Sequence, residues 1–247
     1  MKNFARRTAG IIGLLVIWQL GSMLTTDIFC PGPVAVFEAF VGLIRSGQLV
    51  KGIQYSFCRI LVSASLSLLI SIPAAVLIYG NRFIHELFFP LIGMFRFVPI
   101  TAFSGLLILW FGLGEGYKIA FLTLASVVYM LPSVLLSLQE IPTGQVEAAR
   151  ALGMTKWQTI RHVVLTYAAP SIASSFLLMI AIGCNYINVV ESVNAYFGLG
   201  YTSSVAAARG KTAIVFSMIA TIMVISYLID LIGNALIRRA FKWKYIK

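Results

Sequence analysis

Apolar residues in this chain come in long blocks separated by short polar connections. Six blocks, at about 8–28, 54–79, 87–110, 117–138, 168–190 and 212–237, carry few or no charges. A helix needs roughly 20 mostly apolar residues to cross the hydrocarbon of a bilayer. The pattern therefore predicts an all-α, polytopic membrane protein with about six transmembrane helices, forming a single transmembrane domain over residues 1–247. Pro73, Pro99, Pro132 and Pro170 fall inside blocks. Each removes a backbone hydrogen bond and kinks its helix unless neighbours compensate.

Two connections have patterns of their own. After the first block, Phe37, Phe40, Val41 and Ile44 recur at helical spacing behind Pro33, a residue suited to a first helical turn. This predicts an external helix lying in the membrane interface. The longest polar connection, about 139–167, holds Glu147, Ala148, Ala149, Arg150, Ala151, Leu152 and Gly153, then Thr155, Lys156, Trp157 and Gln158. Its alanines and leucine favour helix, and Gly153 is the kind of residue that ends one in a left-handed conformation. Thr155 with Gln158 has the form of a capping box opening a second helix through Trp157, Ile160, Val163 and Val164. The connection reads as helix, turn, helix, and its small-residue surface could pack closely into a groove on another protein.

Composition agrees: 60% of residues are hydrophobic, 11% are charged, and mean hydropathy is +0.93. A water-soluble core is excluded by so few charges. Charge sets the orientation. With the N-terminus inside, twelve of the 19 Lys and Arg residues fall on the cytoplasmic side and six outside, while Arg96 lies within a span. The positive-inside rule thus places both termini and the Glu147 connection in the cytoplasm. Lys2, Arg6 and Arg7 before an apolar run imitate a signal peptide, but the run continues to about residue 28 without a convincing cleavage site and reads as the first span. The basic stretch from Arg238 to Lys247, interleaved with Trp243 and Tyr245, predicts an anchor on anionic lipid.

The net charge of +11 has no soluble domain to carry it, which argues against nucleic acid as a partner. Gly210-Lys211-Thr212 imitates the end of a phosphate loop, but the glycine required five positions earlier is Val205, so the chain itself is not expected to bind ATP. Metal-binding and catalytic motifs are lacking: the histidines are His85 and His162 alone, and Cys30, Cys58 and Cys184 have no metal-like spacing. No catalytic residue, metal or cofactor is expected on this chain. Polar groups within the blocks or at their ends remain as candidates for a translocation pathway: Arg96, Asn185, Asn188 and, at the outer end of the fifth block, Glu191. Such groups cost free energy in lipid unless they face protein or water. Arg96 would suit an anionic substrate or a structural pairing with a helix end, and the asparagines could equally join helices.

The Glu147-Ala148-Ala149 triplet, followed after three intervening residues by Gly153, resembles the cytoplasmic "EAA" loop of bacterial ABC-importer permeases. Further likeness lies in Arg96-Phe97-Val98-Pro99, in Leu107 to Glu115 with Lys118-Ile119, and in Glu191 followed by Gly198-Leu199-Gly200 and Ala208-Arg209. These are similar to permeases of the nitrate, sulfonate and taurine branch. Thr166 stands where that branch usually has proline, and Cys184 to Asn188 where it usually has a tryptophan-containing segment. The resemblance implies the type I permease fold and a bacterial inner-membrane location. It implies an importer for a small solute, anionic ones among them, or for a related heterocyclic precursor. The implied partners are a cytoplasmic ATPase dimer carrying ATP and Mg, a second permease chain in a homodimer, and an extracytoplasmic solute-binding protein. It assigns ATPase coupling to Glu147, Ala148, Ala149, Arg150, Leu152, Gly153 and Trp157. An ion-gradient-driven secondary transporter or a membrane scaffold are the rival readings. No internal repeat favours the first, which would not need the Glu147 loop, and the second would be favoured if the chain associated with no ATPase.

Overall fold

Each hydrophobic block is largely helical in the computed structural model, which describes residues 2–26 and 28–245, with the backbone alone described for residues 2–9, 11 and 245. The side chains of Lys2, Arg6, Arg7, Tyr245 and Lys247, on which the inside bias and the lipid anchor partly rest, lie outside the described residues. The elements are α1 (Lys2–Met23), α2 (Pro33–Arg45), α3 (Gln48–Gly80), α4 (Arg82–Phe95), α5 (Ser104–Phe111), α6 (Glu115–Gln139), α7 (Thr143–Ala151), α8 (Lys156–Thr159), α9 (Leu165–Glu191), α10 (Leu199–Ala208), α11 (Thr212–Ala240) and α12 (Lys242–Tyr245). A 3₁₀ turn spans Ile100–Phe103 and a π turn spans Ile160–Val164.

Among the described residues, four helices are long and apolar enough to cross a membrane: α3, α6, the run Lys156–Glu191 that joins α8 to α9, and α11. The third expected span departs from a straight helix. Residues 82–95 and 100–111 form a pair bent by 94°, so 87–110 is a broken span or a re-entrant segment. Pro99 explains the break, since its ring and its missing N–H prevent the turn before it from continuing, and the backbone restarts as a 3₁₀ turn. Pro73, Pro132 and Pro170 sit inside continuous helices, as does Pro90 in α4. The first expected span is shorter than its block: α1 stops at Met23, and its described apolar part is Ile12–Met23.

The chain divides into two compact units, one of residues 1–57 and 191–225, the other of 58–190 and 226–247. In the first, Leu43, Leu49, Leu199 and Met218 form a buried cluster. There α2 starts with Pro33 in its first turn, as expected, and buries Val36 and Leu43 while leaving Phe37 and Ile44 exposed. It is tied down where the Ser217 hydroxyl donates to the Val36 carbonyl (2.8 Å). The second unit is packed around α6, where Tyr117, Phe121, Met130, Val134 and Leu138 are fully enclosed.

Candidate coupling loop and buried polar sites

The loop after α6 is built by local chemistry. α7 ends at Ala151, and Gly153 follows with φ of 80°. The Met154 N–H donates to the Ala149 carbonyl (3.1 Å) and the Gly153 N–H to the Arg150 carbonyl (2.9 Å). This pair of bonds is a Schellman stop, which needs a left-handed residue at Gly153. Immediately afterwards the Thr155 side chain accepts from the Gln158 N–H (3.3 Å), and the Thr155 N–H donates to Gln158 Oε1 (2.8 Å). The expected capping box is therefore formed, and α8 starts at Lys156. The helix is not uniform beyond it: one widened π turn at 160–164 intervenes before α9.

This geometry sorts the candidate coupling residues by exposure. Glu147, Ala148 and Arg150 are exposed, Leu152 is 82% exposed and Trp157 60% exposed. Ala149 is turned inward and buried within the chain itself, so it seats α7 rather than presenting a surface. The loop thus shows two large apolar side chains flanked by a carboxylate and a guanidinium. Behind it a cavity of about 380 Å³ is lined by Tyr79 and Arg82 from the α3–α4 corner and by Arg150, Lys156 and Ile160. Arg82 pairs with Glu86 (2.8 Å) on the exposed surface.

The four candidate pathway residues fall in both units, Arg96, Asn185 and Asn188 in one and Glu191 in the other. Arg96 is expected within a span but caps α4 at the break, exposed, with its guanidinium 5.4 Å from the ring centre of Phe97. Asn185 is exposed on α9, whereas Asn188 Oδ1 is buried with no hydrogen-bond partner among the described residues. Glu191 belongs to the other unit and is fully enclosed. Its carboxylate takes bonds from the Ser56 hydroxyl (2.8 and 2.9 Å) and the Gly200 N–H (2.8 Å), while Ser56 Oγ accepts from the Leu199 N–H (2.9 Å). A carboxylate facing the amides that open α10 is favoured by the helix dipole and compensated for its burial. Glu191 is thus a packing element joining α3 to α10, not an open wall. Gly198 shows how tight the fit is: with φ of 145°, a Cβ there would collide with the Glu191 carboxylate.

A second polar cluster is half buried. In the other unit, Arg59 donates from Nε and Nη2 to the two oxygens of Glu115 (2.6 and 2.7 Å), and Lys118 Nζ adds a third bond (3.1 Å). Arg59 and Lys118 are buried and Glu115 is half exposed. Glu115 and Lys118 belong to a motif of the resemblance, but their pairing with Arg59 is not legible there, because Arg59 lies 56 positions from Glu115 and residue type alone does not reveal a pairing.

Known proteins bear on the whole chain. A family model described as the binding-protein-dependent transport system inner membrane component matches residues 67–242. The taurine transport system permease protein of Escherichia coli (strain K12) is 27% identical over 236 residues, 93% of this chain and 86% of that protein. A putative aliphatic sulfonates transport permease protein of Bacillus subtilis (strain 168) is 30% identical over 238 residues, 94% of this chain and 84% of that one. Among solved structures, an inward-facing methionine ABC transporter matches with a TM-score of 0.70 at 23% identity, covering 79% of this chain and 97% of that chain. A bacterial ABC transporter for the import of alginate matches with a TM-score of 0.56 at 19% identity, over 96% and 98%. These structural likenesses speak for the fold alone, that of type I importer permeases. With a family model over more than half its length and relatives along nearly all of it, the chain belongs to the inner-membrane permease components of binding-protein-dependent ABC importers.

Proposed function

We propose that this permease carries a small organic sulfonate into the cytoplasm, driven by an ATPase that docks on the α7–α8 loop. The reading of the loop rests on one observation above all: Leu152 and Trp157 stand exposed beside Glu147, Ala148 and Arg150, on a turn whose shape is fixed by a Schellman stop and a capping box. Apolar side chains held on so ordered a turn are suited to a partner's groove. In this reading Glu147 and Arg150 make polar contacts at the rim, Ala148 allows close approach, and buried Ala149 seats the helix. ATP and Mg²⁺ reside on the partner. The permease pairs with a second copy of itself, and a binding protein delivers solute from outside. Nucleotide-driven closure then acts on the membrane helices as a rigid-body change.

The solute class is supported by the relatives, of which one is named for taurine and another for aliphatic sulfonates. The test is copurification from gently solubilised membranes followed by taurine uptake. The wild-type chain should bring down a P-loop ATPase. Gly153→Asp, which places a β-carbon and a charge where φ is 80°, should insert normally yet lose both the ATPase and the uptake. A properly inserted Gly153→Asp chain with unchanged uptake would sink the coupling assignment. Among the alternatives, an ion-gradient-driven carrier would give uptake that collapses with uncouplers while ATP is clamped.

A further inference from the structure

The first unit contains a cavity of about 590 Å³ that no part of the coupling reading uses. Its charged lining is of one sign: Lys51 from the first turn of α3, and Arg209 and Lys211 from the turn that follows α10, with no carboxylate among the lining residues. The turn itself is closed. The Arg209 and Lys211 N–H groups both donate to the Ala206 carbonyl (3.2 and 2.9 Å) around Gly210, whose φ is 66°. That closure fixes the backbone from which the two cations project. Neither they nor Lys51 form an ion pair within 4 Å among the described residues. The nearby carboxylate of Glu191 lies behind Gly198 and is occupied by Ser56 and the Gly200 amide. Gln48 and Tyr201 add uncharged donors to the lining, whereas the Thr202 hydroxyl there donates to the Gly198 carbonyl (2.9 Å), and Tyr196 and Phe197 supply aromatic rings. Phe197 is held in place by stacking on Tyr55 at 5.1 Å.

We propose that this cavity binds a small organic oxoanion, with its sulfonate or phosphate oxygens toward Lys51, Arg209 and Lys211 and its carbon tail on Tyr196 and Phe197. Clefts lined by one sign of charge concentrate counter-ions, and guanidinium and ammonium groups make short charge-assisted bonds to oxoanions. The volume is that of a small-molecule pocket, roomier than a bare inorganic oxoanion requires, and the aromatic side gives a carbon tail something to cover. The site rests on the importer reading only for its role, as a place where a substrate anion collects before entering. The binding itself can be measured on the purified chain without any ATPase.

The experiment uses the full chain in phosphatidylcholine nanodiscs, with ethanesulfonate as the probe observed by saturation-transfer NMR. Transfer to the ethyl protons is expected, weakening as salt is raised. The triple variant Lys51→Gln, Arg209→Gln, Lys211→Gln should bind at least tenfold more weakly. The charge-keeping variant Arg209→Lys, Lys211→Arg should retain binding, as should Lys242→Gln in the other unit. Equal binding by the triple variant, or equal binding of uncharged N-ethylformamide, would overturn the proposal. Nanodiscs containing phosphatidylglycerol separate the sources. If that lipid leaves ethanesulfonate bound, the site serves a free solute, and if it displaces the probe, the oxoanion held there is a lipid phosphate and the collecting role is overturned. Loss of taurine uptake in the Gly153→Asp chain with intact ethanesulfonate binding would show that the coupling reading and this site stand independently.

Discussion

At Gly198 the molecule has almost no tolerance for a side chain. The residue combines φ of 145° with a Glu191 carboxylate that a β-carbon would strike, and Gly52 faces the same turn, its would-be Cβ 3.2 Å from Leu199 Cδ2. Replacing Gly198 by alanine joins backbone strain to displacement of a buried, fully bonded charge, a combination expected to cost roughly 2 kcal/mol or more. The check is the melting temperature of the purified chain, which should fall by several degrees. In a Glu191→Ala background the same substitution should cost less than it does in the wild-type chain, because the atom it strikes is gone. Strict additivity would mean that the strain lies elsewhere. Little of this was legible in the sequence. Glu191 reads along the chain as a polar group at the end of an apolar block and as part of a motif of the resemblance, and neither shows its partner Ser56, which lies 135 positions away.

Among the elements, short-range chemistry was the most readable. Gly153 and the pair Thr155 and Gln158 announce a stop and a start because every bond they make closes within five residues. Thr155→Ala should remove about 1 kcal/mol from the start of α8. Faster amide exchange at residues 156–159, with α6 unchanged, is the expected signature, and unaltered exchange would show that tertiary packing alone holds the turn. The block at 87–110 was less readable. Its hydropathy suits a straight span and Pro99 marked a possible kink, but Pro73, Pro132 and Pro170 lie in continuous helices. Whether a proline breaks or merely bends a helix depends on what its neighbours supply to the freed carbonyls, and that is not written at the proline. The widened turn at 160–164 has the same standing, since nothing in Ile160-Arg161-His162-Val163-Val164 distinguishes it from ordinary helix.

For the whole molecule the arrangement of charges makes a prediction that the fold alone does not. With Cys30, Cys58 and Cys184 changed to serine, a cysteine in place of exposed Arg45 should react with a membrane-impermeant maleimide on intact cells. One in place of exposed Lys156 should react only after permeabilisation. The reverse pattern would invert the proposed topology and remove the α7–α8 loop from the side where ATP is. Helix content and membrane class were legible throughout, because blocks of some 20 apolar residues admit few other structures. The division into two units was not, since it depends on which distant segments meet. That division also has a consequence for synthesis. Residues 1–57 share their unit with 191–225, so Ser56 is made long before Glu191, and Leu43 and Leu49 long before Leu199 and Met218. At typical translation speeds of 5–20 residues per second, the early segment waits roughly 10–30 s in the bilayer before the ribosome delivers what completes it. During that interval the nascent chain is a natural client for the insertion machinery and a ready target for quality-control proteases.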